Sequence, residues 1–273
     1  MQEETELQVR IDGDASQPTL IYLPGLHGDW TLLTAFREAA RERFRLVQLT
    51  YPRTLSWSLV EYARAVSEAL ASRGVTRGWV LAESFSSQVT WAWLKTAQEN
   101  ATQFRFDGII LAGGFVRYPI WLNLRFAQFF MAIAPWFLWK LLFWAYLRYS
   151  TFRHRNAAAN ANSGREFIER RSPEDIAAMR ARLRLIAGSD PRPIARKANC
   201  PIYQLAGVID PIVPPALVNK WLRRNCPAFK GHRIIWPADH NVLGTEPAAA
   251  LAQIEEWVGG RGSACLTGSD RGT

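Results

Sequence analysis

Short apolar, β-rich runs alternate along this chain with amphipathic helical patterns, and that alternation restricts it to parallel βαβ units. Thr19 to Pro24, Arg45 to Thr50, Gly78 to Glu83, Asp107 to Gly113, Pro201 to Gly207 and His232 to Pro237 read as strands. Continuous apolar stretches such as VQL and GIILA mark strands covered on both faces. Helices fit between them at Thr31 to Arg43, Leu59 to Ser72, Ser87 to Gln98, Pro215 to Arg224 and Pro247 to Trp257. The expected fold class is α/β, with a mostly parallel central sheet and helices on both faces.

The alternation breaks once, after Gly114. No strand pattern appears from there to Asp190, so a largely helical insertion is expected between the fourth and fifth of these strands. The expected organisation is a core of residues 1–116 and 191–258, a helical insertion at 117–190 and a flexible Gly/Ser-rich tail at 259–273. Of the 33 Lys and Arg that outnumber 24 Asp and Glu, 12 lie between Arg117 and Asp190, against 5 acids there. The net charge of +9 is therefore regional. Arg117 to Phe152 also holds 13 of the 33 aromatic residues, more than a separate sheet core can bury.

Composition removes several classes. With 273 residues, 48% of them apolar and 21% charged, the chain can build a core, which excludes wholesale disorder and a polytopic membrane protein. Cys200, Cys226 and Cys265 are too few for a disulfide framework and lack zinc-ligand spacing, which suits a reducing compartment. Residues 1–18 are polar and acidic, without a basic leader or apolar run, so a cytoplasmic protein is expected.

Ser84, in LAESFSS, sits where a buried-strand pattern turns directly into a helical one, the context of a nucleophile elbow. Such a turn needs small residues two before and two after the nucleophile. Glycine is usual at both; here they are Ala82 and Ser86. Taken alone, a serine in this place is a helix N-cap. Two later segments change that weighting. Asp210 follows one strand at a turn marked by Pro211, and His240 follows the last strand, before the final helix. Strand C-terminal ends are where open α/β sheets build sites, and the chain order Ser, Asp, His fits a triad. His240 would take the serine proton and Asp210 would orient the imidazole. Asp239 is a rival acid, ranked lower because adjacent side chains diverge, and Glu83 reads as a polar shoulder of the elbow. For an oxyanion, the N–H groups of Phe85 and Leu26 are the candidates; a second registration of PGLHGD puts His27 or Asp29 there instead.

YLPGLHGD, LAESFSS, GVIDPIVPP and ADHN together resemble the α/β-hydrolase fold family, over roughly Leu7 to Val258, and specifically its serine hydrolases with a helical cap inserted after the sixth family strand. The resemblance implies Ser84 as nucleophile, His240 as base, Asp210 as acid and Leu26 and Phe85 as oxyanion donors. It implies no metal or organic cofactor. The implied activity is hydrolysis of a carboxylic ester or thioester of an apolar acyl chain. Two alternatives stay open: an acyltransferase or C–C bond hydrolase with the same triad, and a non-catalytic lipid- or partner-binding module. Dehalogenases and epoxide hydrolases of this fold carry aspartate where this chain has Ser84, so they are disfavoured.

The insertion leaves two readings. Phe126 to Trp139 is uncharged for 14 residues, too short a run to span a bilayer without Lys140. Aromatics beside Arg125, Lys140, Arg148, Arg153 and Arg155 have the composition of helices lying on an anionic membrane surface. The other reading packs those aromatics on the core and leaves the arginines solvated. Nucleic acid is disfavoured, since no binding module accompanies the charge.

Overall fold

The computed structural model describes residues 6–100, 104–153 and 158–260, and the statements below concern these. Seven strands form one sheet: β1 (Val9–Asp12), β2 (Thr19–Leu23), β3 (Arg45–Leu49), β4 (Arg77–Glu83), β5 (Arg105–Ala112), β6 (Ile202–Gly207) and β7 (Phe229–Ile235). Their order is β1-β3-β2-β4-β5-β6-β7. Only the β1–β3 pair is antiparallel. The chain steps from β2 outward to β3, then returns past β2 to β4. The strand order reverses there, so loops after β2 and β4 diverge and leave a crevice at their C-terminal ends.

Period-two alternation sorts the sheet's side chains into two cores. Ile21, Leu23, Val47, Val80, Ala82, Ile109 and Leu111 face one layer, packed by α2 (Leu59–Ala71), α3 (Ser86–Asn100) and α9 (Pro215–Asn225). Leu20, Tyr22, Leu46, Leu81, Ile110, Ala112 and Leu205 face the other, packed by α1 (Thr34–Ala40), α10 (Val242–Thr245) and α11 (Pro247–Val258). Helix starts follow local chemistry. Ser58 and Glu61 form a reciprocal capping box at α2. Asn241 accepts from the Gly244 N–H at α10.

The structure departs from the sequence reading in three places here. The last strand, expected at His232 to Pro237, is β7 at Phe229–Ile235, because its half-solvated first residues carry no apolar run. β1 was absent from the expected strands. It is an edge strand whose side chains are half-buried or exposed, so its VRID pattern carries no apolar run. The helix expected from Thr31 to Arg43 is a 3-10 turn at Thr31–Leu33 followed by α1, which ends at Ala40.

Between β5 and β6 lie α4 (Trp121–Ile133), α5 (Trp136–Arg153), α6 (Ala158–Glu169), α7 (Pro173–Gly188) and α8 (Arg192–Arg196), with no strand among the described residues of this stretch. Pro135 separates α4 from α5, and Pro173 opens α7 where its missing N–H costs nothing. Arg155 and residues 261–273, including Cys265 and most of the expected tail, lie outside the described residues.

Candidate active site

Ser84 occupies the turn between β4 and α3 with φ +47°, the one non-glycine residue at positive φ among those described. A side chain there costs on the order of 1–3 kcal/mol, so surrounding bonds must hold it. The Ser84 N–H donates to Ala112 O on β5 at 3.0 Å, and the Ser84 carbonyl accepts from the Ser87 N–H at 3.0 Å and the Ser87 hydroxyl at 2.6 Å. Ser86, one of the two small residues the turn requires, donates its hydroxyl to the Pro24 carbonyl and bonds the Tyr51 hydroxyl at 2.6 Å. The loops after β2, β3 and β4 are thereby tied at one point.

The loops after β6 and β7 deliver Asp210 and His240 to the same crevice. Asp210 Oδ1 accepts from the N–H groups of Ile212 (2.9 Å) and Val213 (2.8 Å), which fixes the carboxylate. Its Oδ2 lies 2.7 Å from His240 Nδ1, and His240 Nε2 lies 2.9 Å from Ser84 Oγ. An ionised carboxylate only accepts, so Nδ1 carries the proton and Nε2 of the neutral ring is free to accept from the serine. Burial alone would lower the imidazole pKa. The hydrogen bond and charge of Asp210, with Glu83 and Asp239 adding to them, outweigh that, and the pKa is raised above its ordinary value. Gly113, at φ +57°, lies under the ring, where a Cβ would come within 3.1 Å of His240 Cε1.

The other acids have other partners. Asp239 accepts from the Asn241 N–H at 2.9 Å and from the Tyr146 hydroxyl of α5 at 3.0 Å, not from the imidazole. Glu83 accepts from the buried Tyr22 hydroxyl. Among the described residues, neither the Leu26 nor the Phe85 N–H has a hydrogen-bond acceptor. Gly25 O is held by the Gly28 N–H at 3.1 Å, and because a peptide is planar the Leu26 N–H points away from that turn. In the second registration, the Asp29 carboxylate is engaged by Arg171 and by the Thr31 N–H at 2.9 Å. Burial opposes its ionisation, yet Arg171, His27 and Thr31 hold its pKa down at about 2. The His27 ring packs edge-on against Phe167 of α6 at 5.7 Å, its Nε2 buried without a partner. Cys200 and Cys226 are buried free thiols, and burial pushes Cys200 up to about 12.

Arg182 of α7 was not among the sequence candidates. It is buried beneath the β2 loop, donating to Leu26 O (2.8 Å), Pro52 O (2.9 Å) and the Tyr62 hydroxyl (3.4 Å), with its guanidinium over the Tyr51 ring. Gly28, at φ +86°, admits it: a Cβ there would stand 2.4 Å from the guanidinium. Nothing in the sequence separates this arginine from the solvated ones on the same helix.

Ser84 is 9% exposed. Beside the His240 loop lies a cavity of about 30 Å³ walled by Phe143, Tyr146, Leu147, Phe167 and Ile168, with Asn241 and Thr245 on the core side. Neither this cavity nor one of about 440 Å³ between α4, α7 and α9 is lined by Ser84, Asp210 or His240.

No family model and no curated protein matches the chain. Solved structures do. An esterase from Thermogutta terrifontis superposes with a TM-score of 0.71 at 21% identity, covering 92% of each chain. A hydrolase from Pseudomonas aeruginosa PA01 gives 0.72 at 16% identity, covering 93% of this chain and 94% of the other. The enol-lactonase from Burkholderia xenovorans LB400 gives 0.71 at 15% identity, covering 93% and 96%. With the seven-stranded topology, these likenesses establish the α/β-hydrolase fold for this chain.

Proposed function

We propose that this chain is a serine hydrolase that cleaves a carboxylic ester or thioester of an apolar acyl group through an acyl-enzyme on Ser84. The observation that carries the reading is the continuous hydrogen-bonded line from Ser84 Oγ through His240 to Asp210, at 2.9 and 2.7 Å. Ester hydrolysis also agrees with the esterase and enol-lactonase among the structures of like fold.

In the first half-reaction Ser84 Oγ attacks the acyl carbonyl while His240 Nε2 takes its proton, with Asp210 stabilising the imidazolium. The carbonyl oxygen becomes an oxyanion received by the N–H groups of Leu26 and Phe85. Collapse breaks the bond to the alcohol or thiol, and His240 returns the proton to that leaving group. Water then attacks the acyl-serine, again giving its proton to His240. The acid departs and the hydroxyl is restored.

The inserted helices serve in this proposal as a cap. Phe143 and Leu147 of α5 with Phe167 and Ile168 of α6 give the space next to Asn241, the residue after His240, an apolar wall, which favours a hydrocarbon acyl chain over a polar one. A fluorophosphonate probe tests the reading. Covalent labelling of the full chain, lost in Ser84→Ala, is the expected result; a folded wild-type protein that takes no label overturns it.

A further inference from the structure

The insertion presents apolar side chains to solvent on two helices. On α4, Leu124 and Met131 face the protein, while Leu122, Phe126, Phe129 and Ile133 are 62–70% exposed. Their spacing of four, three and four residues puts them along one helix face. On α5, Trp136, Trp139 and Phe143 pack against the core, and Phe137, Leu141 and Trp144 form an outward stripe that Arg148 continues. A helix apolar on both sides belongs inside a protein or against a lipid phase. Of the two sequence readings, packing on the core therefore accounts for the inner residues only.

The charge decides what covers the outer ones. Residues 108–165 contain seven Arg or Lys and no Asp or Glu. Arg125 lies over the Trp121 ring and Lys140 over Trp136, so the cations flank aromatic side chains. A symmetric dimer through this face would bring two copies of this basic segment together with no carboxylate from residues 108–165 to neutralise either, since a two-fold interface pairs a surface with itself. An anionic bilayer supplies what both parts of the surface lack: hydrocarbon for the stripes and negative headgroups for the cations. No helix among the described residues is long and apolar enough to cross a membrane. These helices are about 20 and 27 Å long, which suits contact within the interface plane.

We propose that the outward faces of α4 and α5 form a docking surface for anionic membranes, with the exposed phenylalanines and leucines entering the boundary between headgroups and acyl chains and Arg125, Lys140 and Arg148 meeting anionic headgroups. The surface does not depend on the hydrolase reading.

Flotation of the full-length protein with phosphatidylcholine vesicles, with and without 30% phosphatidylserine, tests it. Binding should require phosphatidylserine and fall with added salt. The triple variant Arg125→Gln, Lys140→Gln, Arg148→Gln should weaken partitioning on the order of 100-fold, roughly fivefold per cation. Phe126→Ser with Phe129→Ser, and Phe137→Ser with Leu141→Ser, should each weaken it at least tenfold. These side chains are already solvated, so circular dichroism should stay that of the wild type, and the wild-type lipid and salt dependence stands as a test without any variant. Ser84→Ala should bind like the wild type, which separates this result from that of the labelling experiment. No binding to either vesicle, equal binding to both, or a concentration-dependent dimer in sedimentation without vesicle binding overturns the proposal.

Discussion

Arg182 on α7 donates to the carbonyl oxygen of Leu26 at 2.8 Å, across 156 positions of sequence. That bond joins a helix of the insertion to the loop after β2, whose Leu26 N–H is the proposed oxyanion donor. The same guanidinium binds Pro52 O in the loop after β3. One cation from the insertion thus sets the spacing between two strand-end loops of the core.

Replacing Arg182 with Met should therefore cost both stability and turnover. It leaves buried acceptors at Leu26, Pro52 and Tyr62 without their donor, a loss of about 2–3 kcal/mol, read as a lower midpoint in urea. With the loop loosened, kcat should fall on the order of tenfold to 100-fold while KM changes little, because the loop that Arg182 holds carries the N–H proposed to meet the oxyanion. Unchanged kcat with lowered stability would leave Arg182 a purely structural residue.

The positive φ of Ser84 sets stability against chemistry. Ser84→Gly removes the Cβ that makes the conformation costly, so this variant should be about 1 kcal/mol more stable than Ser84→Ala, a Tm difference of roughly 2–4 °C for a chain of this size. Both variants should fail to take the fluorophosphonate. Equal Tm values in calorimetry would mean that the turn stores no strain.

His240 fixes the pH dependence. As base it must be neutral, so kcat/KM should fall as the pH drops through its pKa, with the midpoint above the ordinary value near 6.5 because Asp210 and Glu83 raise it. Glu83→Gln should move that limb downward. Asp210→Asn should move it further and lower kcat on the order of 10⁴-fold. Folding carries the opposite sign: a raised pKa contributes stability that is fully present below about pH 6.5 and lost as the pH rises through the folded-state value. A pH–rate profile with its acid limb at or below 6.5 in the wild type would mean that burial of His240 outweighs the carboxylates around it.

What the sequence could say followed the reach of its signals. β2 to β6 were legible because strands buried on both faces leave continuous apolar runs, whereas the edge strands are half-solvated: β1 reads as a polar leader, and only the apolar end of β7 stood out. Ser84, Asp210 and His240 were each legible as a polar residue just past a strand, and the structure brings the three into one crevice. Arg182 and Arg171 were not, because a buried arginine is defined by acceptors it meets from distant loops, and on its own helix it looks like any solvated one. The outward stripes of α4 and α5 were hidden for a related reason. When both faces of a helix are apolar, periodicity does not say which one meets the protein.

Tyr146 ties α5 to the loop that carries His240. Its hydroxyl bonds Asp239, one residue before His240, and burial together with that carboxylate raises its pKa, so it remains a neutral donor. Ser84 is only 9% exposed and the apolar cavity that α5 walls next to Asn241 holds about 30 Å³, so under the cap proposal a long acyl chain needs α5 to give way. Tyr146→Phe deletes the tie while keeping the ring. Against a series of 4-nitrophenyl esters, the wild type should favour medium or longer chains over acetate, and Tyr146→Phe should raise kcat/KM for the longest chains by a few-fold while leaving acetate nearly unchanged. A uniform change across the series would assign the bond to positioning His240 instead, because a barrier at the cap acts in proportion to the length of chain that must pass it.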